Sequence, residues 1–176
     1  MNEGDKRWFA MRATYGRNMM AQRTLDAMSI ESFIPMRQRQ TKRGHRIKID
    51  MVPTLRDLIF VFAERDVIQS QKAKISYLHY ITRPIEGRNT PIEVPTAEME
   101  QFIRLCENGG EVKSASESVD FALGEEVRFT QGSLKGVEGR LVKIQGKRSR
   151  RFTIQIDGVC AAVIDIKAEE IEKIER

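Results

Sequence analysis

Between Glu31 and Asp50 the chain carries six cations, Arg37, Arg39, Lys42, Arg43, Arg46 and Lys48, and no acid. The chemistry that suits such spacing is charge neutralisation. Cationic groups set along one short segment lower the free energy of lying beside a phosphate backbone, and binding of that kind weakens as salt rises. A solvated hairpin tip is the alternative reading of the same run. Covalent chemistry has no comparable foothold. Cys106 and Cys160 are far apart without a paired spacing, and His45 and His79 are equally scattered. No Ser/His/Asp or Cys/His set, paired metal ligands or phosphate-binding glycine loop can be found. Both cysteines lie among apolar neighbours, which suits small buried side chains better than reactive thiols. The expectation is a protein without enzymatic activity, metal or cofactor.

The basic segment must be held by something, and the residues around it predict an α+β domain. Trp8 to Ala13 reads as a short strand. After Gly16 a helix is predicted from Arg17 or Asn18 to about Met28, with Ala21, Leu25 and Met28 on one face. Ser32 to Met36 is the next strand, with Pro35 favouring an edge or a strand end. The apolar run Leu58-Ile59-Phe60-Val61-Phe62 follows a long loop and reads as a central strand. The basic segment lies between these two strands, as a hairpin arm would. Glu64 to Lys74 fits a second helix and Tyr77 to Thr82 a fourth strand. A last helix from Glu98 to Cys106 has Met99, Phe102, Ile103 and Cys106 as its apolar stripe and Thr96 as its N-cap.

That helix stops at Asn108-Gly109-Gly110, and EVKSASESVD, rich in Ser, Glu and Ala, reads as a flexible connector. The expected division is residues 1–108, a linker at 109–120 and a second domain at 121–176. In the second domain Val127 and Phe129 alternate on one strand face, Gly132-Ser133 turns the chain, and Val137 to Ile144 forms the returning strand. A phase slip near Val142-Lys143 suggests a bulge. Phe152 to Ile156 and Ala161 to Ile166 are further strands, joined by an Asp157-Gly158 turn of the two-residue hairpin type. Four or five short strands in so short a stretch predict a small barrel.

The whole chain has 176 residues, 40% of them apolar, enough for two small packed cores. Its formal charge is +5, and residues 1–108 hold most of the excess, with 18 basic and 13 acidic groups. Such a balance favours polyanionic partners only modestly, because the two signs are interspersed. No apolar run suits a membrane span or a signal peptide, so a cytoplasmic location is expected.

Gly124 to Phe129 entering the turn GSLKGVEG, then a basic loop and closing strands that end in Glu170 to Ile174, resembles a KOW motif. Several ribosomal proteins share that module, and an SH3-like barrel without a nucleic-acid role is also compatible with it. The N-terminal segments discriminate. A Trp-led strand, an early glycine, a helix, a strand with Phe-Ile-Pro, a basic loop, an apolar strand with Phe-Val, and Val94-Pro95-Thr96-Ala97-Glu98 opening a last helix together resemble the N-terminal domain of the NusG family. The resemblance spans almost the whole chain. It implies an α+β fold, an antiparallel sheet flanked by helices followed by a small SH3-like KOW barrel. The long polar loop looks more like specialised antiterminator paralogues, including those serving surface-polysaccharide operons.

The family resemblance also implies partners and sites. The N-terminal domain would dock on the clamp helices of the largest RNA polymerase subunit and suppress pausing or termination. Leu58 and Phe60 would supply the patch, with Met99 and Tyr80 or Ile81 nearby; ordinary core is the other reading of each. Leu58 stands where the family has an aromatic residue, and Asp57 where it has a glycine. A second polymerase contact would fall on Gln69, Ser70, Gln71 and Lys72, where a solvated helix end serves as well. Arg17 and Arg23 would join the six loop cations on non-template DNA or nascent RNA. In the KOW domain, Leu134 would be an exposed anchor, with Lys135, for ribosomal protein S10 or Rho, and Lys147, Arg148, Arg150 and Arg151 would form a basic tip. Some relatives refold this domain as a helical hairpin, but the alternating, β-branched composition of residues 152–166 predicts a barrel. The implied molecule is a monomer. A ribosome-associated RNA-binding KOW protein is the competing reading, which the N-terminal segments oppose.

Overall fold

The structure, a computed structural model, describes residues 3–117, 124–143 and 150–175. The chain divides into two compact units, residues 1–96 and 97–176.

The first unit opens with β1 (Arg7–Ala13), which is buried at both Phe9 and Ala10 and so faces apolar surroundings on both sides. A 3-10 turn at Thr14–Gly16 leads into α1 (Asn18–Ala27), whose Ala21 and Leu25 are buried one helical turn apart. Asn18 is buried yet satisfied, because its amide donates to the carbonyls of Leu55 and Leu58. The helix ends as a Schellman motif. Ser29 takes a left-handed φ of 57°, and the amides of Ile30 and Ser29 bond back to Leu25 and Asp26. There follow β2 (Glu31–Phe33), β3 (Met36–Arg43), β4 (Arg46–Pro53), β5 (Leu58–Ala63), α2 (Arg65–Lys72), β6 (Leu78–Tyr80), β7 (Thr82–Ile85), β8 (Arg88–Pro91) and β9 (Glu93–Val94).

The central sheet is antiparallel in the order β2-β5-β1-β6, with β9 also pairing β1. Strand alternation sends Phe9, Met11, Ala13, Ile59, Val61 and Ala63 to one face, where they pack with Ala21 and Leu25 of α1 and Ile68 of α2. The opposite face carries Trp8, Ala10, Leu58 and Phe60, all buried. On that face the rings of Trp8 and Phe62 lie 5.2 Å apart across the β1–β5 pair.

Two hairpins stand apart from this sheet. The basic segment, expected as a loop or arm, is itself a two-stranded ribbon, β3 paired with β4 from Met36↔Pro53 to Arg43↔Arg46. Gly44, with a φ of 59°, supplies the left-handed first position of its two-residue turn. The ribbon β7–β8 turns at Glu86-Gly87, where φ is positive at both positions.

The second unit takes up α3 (Thr96–Glu107) from its second residue, and this helix buries Met99, Phe102 and Leu105. Ile103 and Cys106, expected on the buried stripe, are only half-buried. Gly109 closes the helix at a φ of 94°, with the amide of Gly110 bonded to the carbonyl of Leu105. Part of the stretch expected as a connector is then a strand, β10 (Glu111–Ser114), because β14 (Cys160–Ile166) offers it an edge to pair with. Between them in the chain come β11 (Glu125–Phe129), β12 (Glu138–Lys143) and β13 (Arg150–Ile156), and β15 (Ile171–Lys173) follows. The order is β10-β14-β13-β12-β11-β15, antiparallel at every pair.

Gly139 sits where a Cβ would fall 2.5 Å from the Phe152 ring and 2.6 Å from the Thr153 carbonyl oxygen, so glycine is needed for the strands to approach. Three residues, not two, lie between the paired Ile156 and Cys160. Gly158, with a φ of 75°, takes the left-handed position that a three-residue hairpin loop requires.

Candidate nucleic-acid interface

The register of the β3–β4 ribbon sorts its side chains onto two faces. Residues opposite one another share a face, and successive residues alternate. Arg37, Arg39 and Arg43 of β3 therefore lie beside Arg46, Lys48 and Asp50 of β4, and Lys48 pairs with Asp50 at 3.2 Å. Five of the six predicted cations share this face. Lys42 lies on the other one, opposite Ile47. There Ile47, Ile49 and Met51 are 65, 57 and 55% exposed. The sequence reading missed this apolar stripe. Its signal was present, since Ile47, Ile49 and Met51 alternate with Arg46, Lys48 and Asp50 at period two.

A second cationic place forms where β1 meets α1. Tyr15 is 79% exposed and sits at φ 61°, ψ 30°, a left-handed conformation that costs a non-glycine residue about 1–2 kcal/mol. Gly16 follows at φ 69°, and its amide donates to Asp57 Oδ1 at 2.7 Å. The Arg17 guanidinium carbon lies 5.5 Å from the Tyr15 ring centroid and 5.2 Å from that of Tyr77, within cation–π range of both. Arg56 packs its side chain beside Gly16. Arg17, Arg23 and Arg56 are exposed.

The residues assigned to polymerase docking are placed differently from one another. Leu58 and Phe60 do share a face of the sheet, as alternation requires, but they are 5% and 0% exposed. Met99 is buried on α3. Tyr80 is on the opposite face of the sheet from Leu58 and Phe60: its ring meets Phe9 edge-on at 5.5 Å and lies under the Lys72 ammonium at 4.6 Å. Burial pushes the Tyr80 hydroxyl above its usual pKa, Arg65 opposing and Asp66 adding to the effect. Ile81 is half-buried and donates its amide to the Ala10 carbonyl. At the end of α2, Gln69 and Ser70 are exposed, Gln71 and Lys72 half-buried.

In the second unit the glycine turn is not the exposed apolar loop that was expected. Leu134 is only 7% exposed, because positive-φ Gly132 and Gly136 fold the segment back, with the amides of Val137 and Lys135 bonded to the carbonyls of Leu134 and Gly132. Arg104 of α3 donates to the carbonyls of Ser133 and Lys135 at 2.9 and 3.2 Å. Lys135 remains exposed, as does Arg150, while Arg151 pairs with Asp165. Lys147 and Arg148 lie outside the described residues. A cleft of about 510 Å³ in this unit is lined by Glu98, Glu126, Glu138 and Asp157 besides Arg140, a balance unsuited to phosphate. Among the described residues no group of His, Cys, Asp and Glu could hold a metal ion, and no helix is long and apolar enough to cross a membrane.

An α+β unit followed by a β-rich unit agrees with what known proteins show. The family model for the transcription termination factor NusG matches residues 6–103, more than half of the chain. The chain belongs to the NusG family, which is a family of transcription elongation and termination factors. A solved structure of Thermotoga maritima NusG, concerned with domain interaction, covers 99% of this chain and 100% of its own, with a TM-score of 0.51 and 18% identity. At that identity the likeness speaks for the fold. Comparison with curated proteins gives no match.

Proposed function

We propose that this chain is a non-enzymatic elongation and antitermination factor that binds RNA polymerase through its N-terminal domain and suppresses pausing or termination. The observation that carries this reading is the family match over residues 6–103, which includes every strand of the central sheet and both ribbons. The partner surface is the pair of clamp helices of the largest polymerase subunit, with the Gln69–Lys72 helix end meeting the opposite jaw of the enzyme; Leu58 and Phe60, at 5% and 0% exposure, support the docking sheet from within rather than touch the partner. The cationic face of the β3–β4 ribbon lies against duplex upstream of the enzyme, and Arg17 and Arg23 meet the displaced strand or nascent RNA. The KOW domain recruits a second partner, ribosomal protein S10 or Rho, near Lys135. The specialised operon-bound paralogue and the cytoplasmic setting follow from the same reading.

The test is retention of purified core RNA polymerase by the tagged full chain, with a pause assay on the same complexes. Binding with shortened pauses is expected. Retention of ribosomes but not polymerase would instead favour the ribosome-associated reading.

A further inference from the structure

We infer that Tyr15, backed by Arg17 and Tyr77, is a stacking platform for one unpaired nucleobase of a single strand. The inference rests on the reading that this chain works beside nucleic acid, and it adds two aromatic residues to the contact surface. Two independent observations meet at this point. Among the described residues Tyr15 is the most exposed of the large hydrophobic residues at 79%, so most of its ring area is open. Its backbone sits at φ 61°, a strained conformation that persists where surrounding structure holds it and that clusters at ligand-binding sites. Here the holding groups are visible: Asp57 takes the Gly16 amide, and Arg17 lies against both Tyr15 and Tyr77.

The chemistry favours a nucleobase over an apolar protein surface. An aromatic ring with a guanidinium on one side offers an open π-face to any base, and stacking of that kind is tolerant of sequence. Exposed Arg17 and Arg56 beside the ring supply charge for the flanking phosphates. Exposed Met19 and Met20, at 41 and 49%, are the features that would suit a protein partner instead.

The experiment measures binding of labelled 12-nucleotide single strands, one DNA and one RNA of the same sequence, to the full chain across a salt series. Tyr15→Leu should weaken binding about 10-fold without altering the salt slope, since stacking releases no counterions, whereas Arg17→Gln should make the slope shallower. Tyr15→Trp should retain or improve affinity, which separates stacking from fold damage. A larger loss with DNA than RNA assigns the displaced strand; the reverse assigns the transcript. Equal affinity of wild type and Tyr15→Leu for both strands, or no single-strand binding by wild type, overturns the inference while leaving polymerase retention intact. Loss of polymerase retention by Tyr15→Leu with unchanged strand binding also overturns it, marking the ring as a protein anchor.

Discussion

Burial sets the chemistry of the two thiols. Cys106 is pushed up to about 12, by burial first and by the Glu107 carboxylate second, and buried Cys160 is also held above its ordinary value. Unfolded thiols ionise near pH 8.5. Above that pH the unfolded chain gives up protons that the folded chain keeps, so stability is fully present below the unfolded value and falls as pH rises toward the folded one. Unfolding free energies from urea titrations should therefore drop between pH 8 and 9.5, by at most about 1.4 kcal/mol per pH unit for each thiol. A Cys106→Ala, Cys160→Ala variant should flatten that drop; an equally steep profile would show that other groups cause it. The burial of Cys160 was legible from its apolar neighbours in sequence, whereas Cys106 is only half-buried. Tyr15 was not legible, because nothing in the string TYGRN shows that its backbone turns left-handed or that Tyr77 will lie beside Arg17.

Among the elements, the β3–β4 ribbon shows how register refines a charge count. Sequence supplied six cations in one segment, and pairing put Lys42 on the face away from the other five. If the cationic face binds duplex DNA, Arg39→Gln with Arg43→Gln should make the logarithmic salt dependence shallower by about 2, while Lys42→Gln leaves it nearly unchanged. Equal effects of the Lys42 and arginine changes in a filter-binding titration would argue that the ribbon acts as a diffuse charge rather than a face. The glycine turn of the second unit teaches the converse. Its glycines were read correctly as a turn, but an apolar residue inside a turn points outward only when the turn does not fold back on its own unit, and Leu134 is folded in.

For the molecule as a whole, the central sheet is buried on both faces, and that changes how the docking role expected of Leu58 and Phe60 can be tested. A buried Phe contributes about 1.5–3 kcal/mol, and placing an unpaired carboxylate there adds the cost of desolvating a charge. Phe60→Asp should lower stability by at least about 3 kcal/mol, visible as a cooperative transition shifted well down in a thermal melt. A variant that melts like wild type would mean that Phe60 is far less buried in solution. Polymerase retention by Phe60→Asp thus reports folding as much as docking, and exposed Gln69 and Ser70 are the better positions for probing contact.

Period-two and helical patterning, turn residues and segment order were enough to give the α+β class, the strands of the second unit and the helix stop at Gly109. These are local properties, set by backbone preferences and by which side chains avoid water, and they are written along the chain. Which cations share a face, that Tyr80 and Phe60 lie on opposite sides of one sheet, that Leu134 is inward, and that β10 pairs β14 emerged only with the fold. Each depends on pairing register or on a partner distant in sequence, and a shift of one residue in register would have reversed every facing.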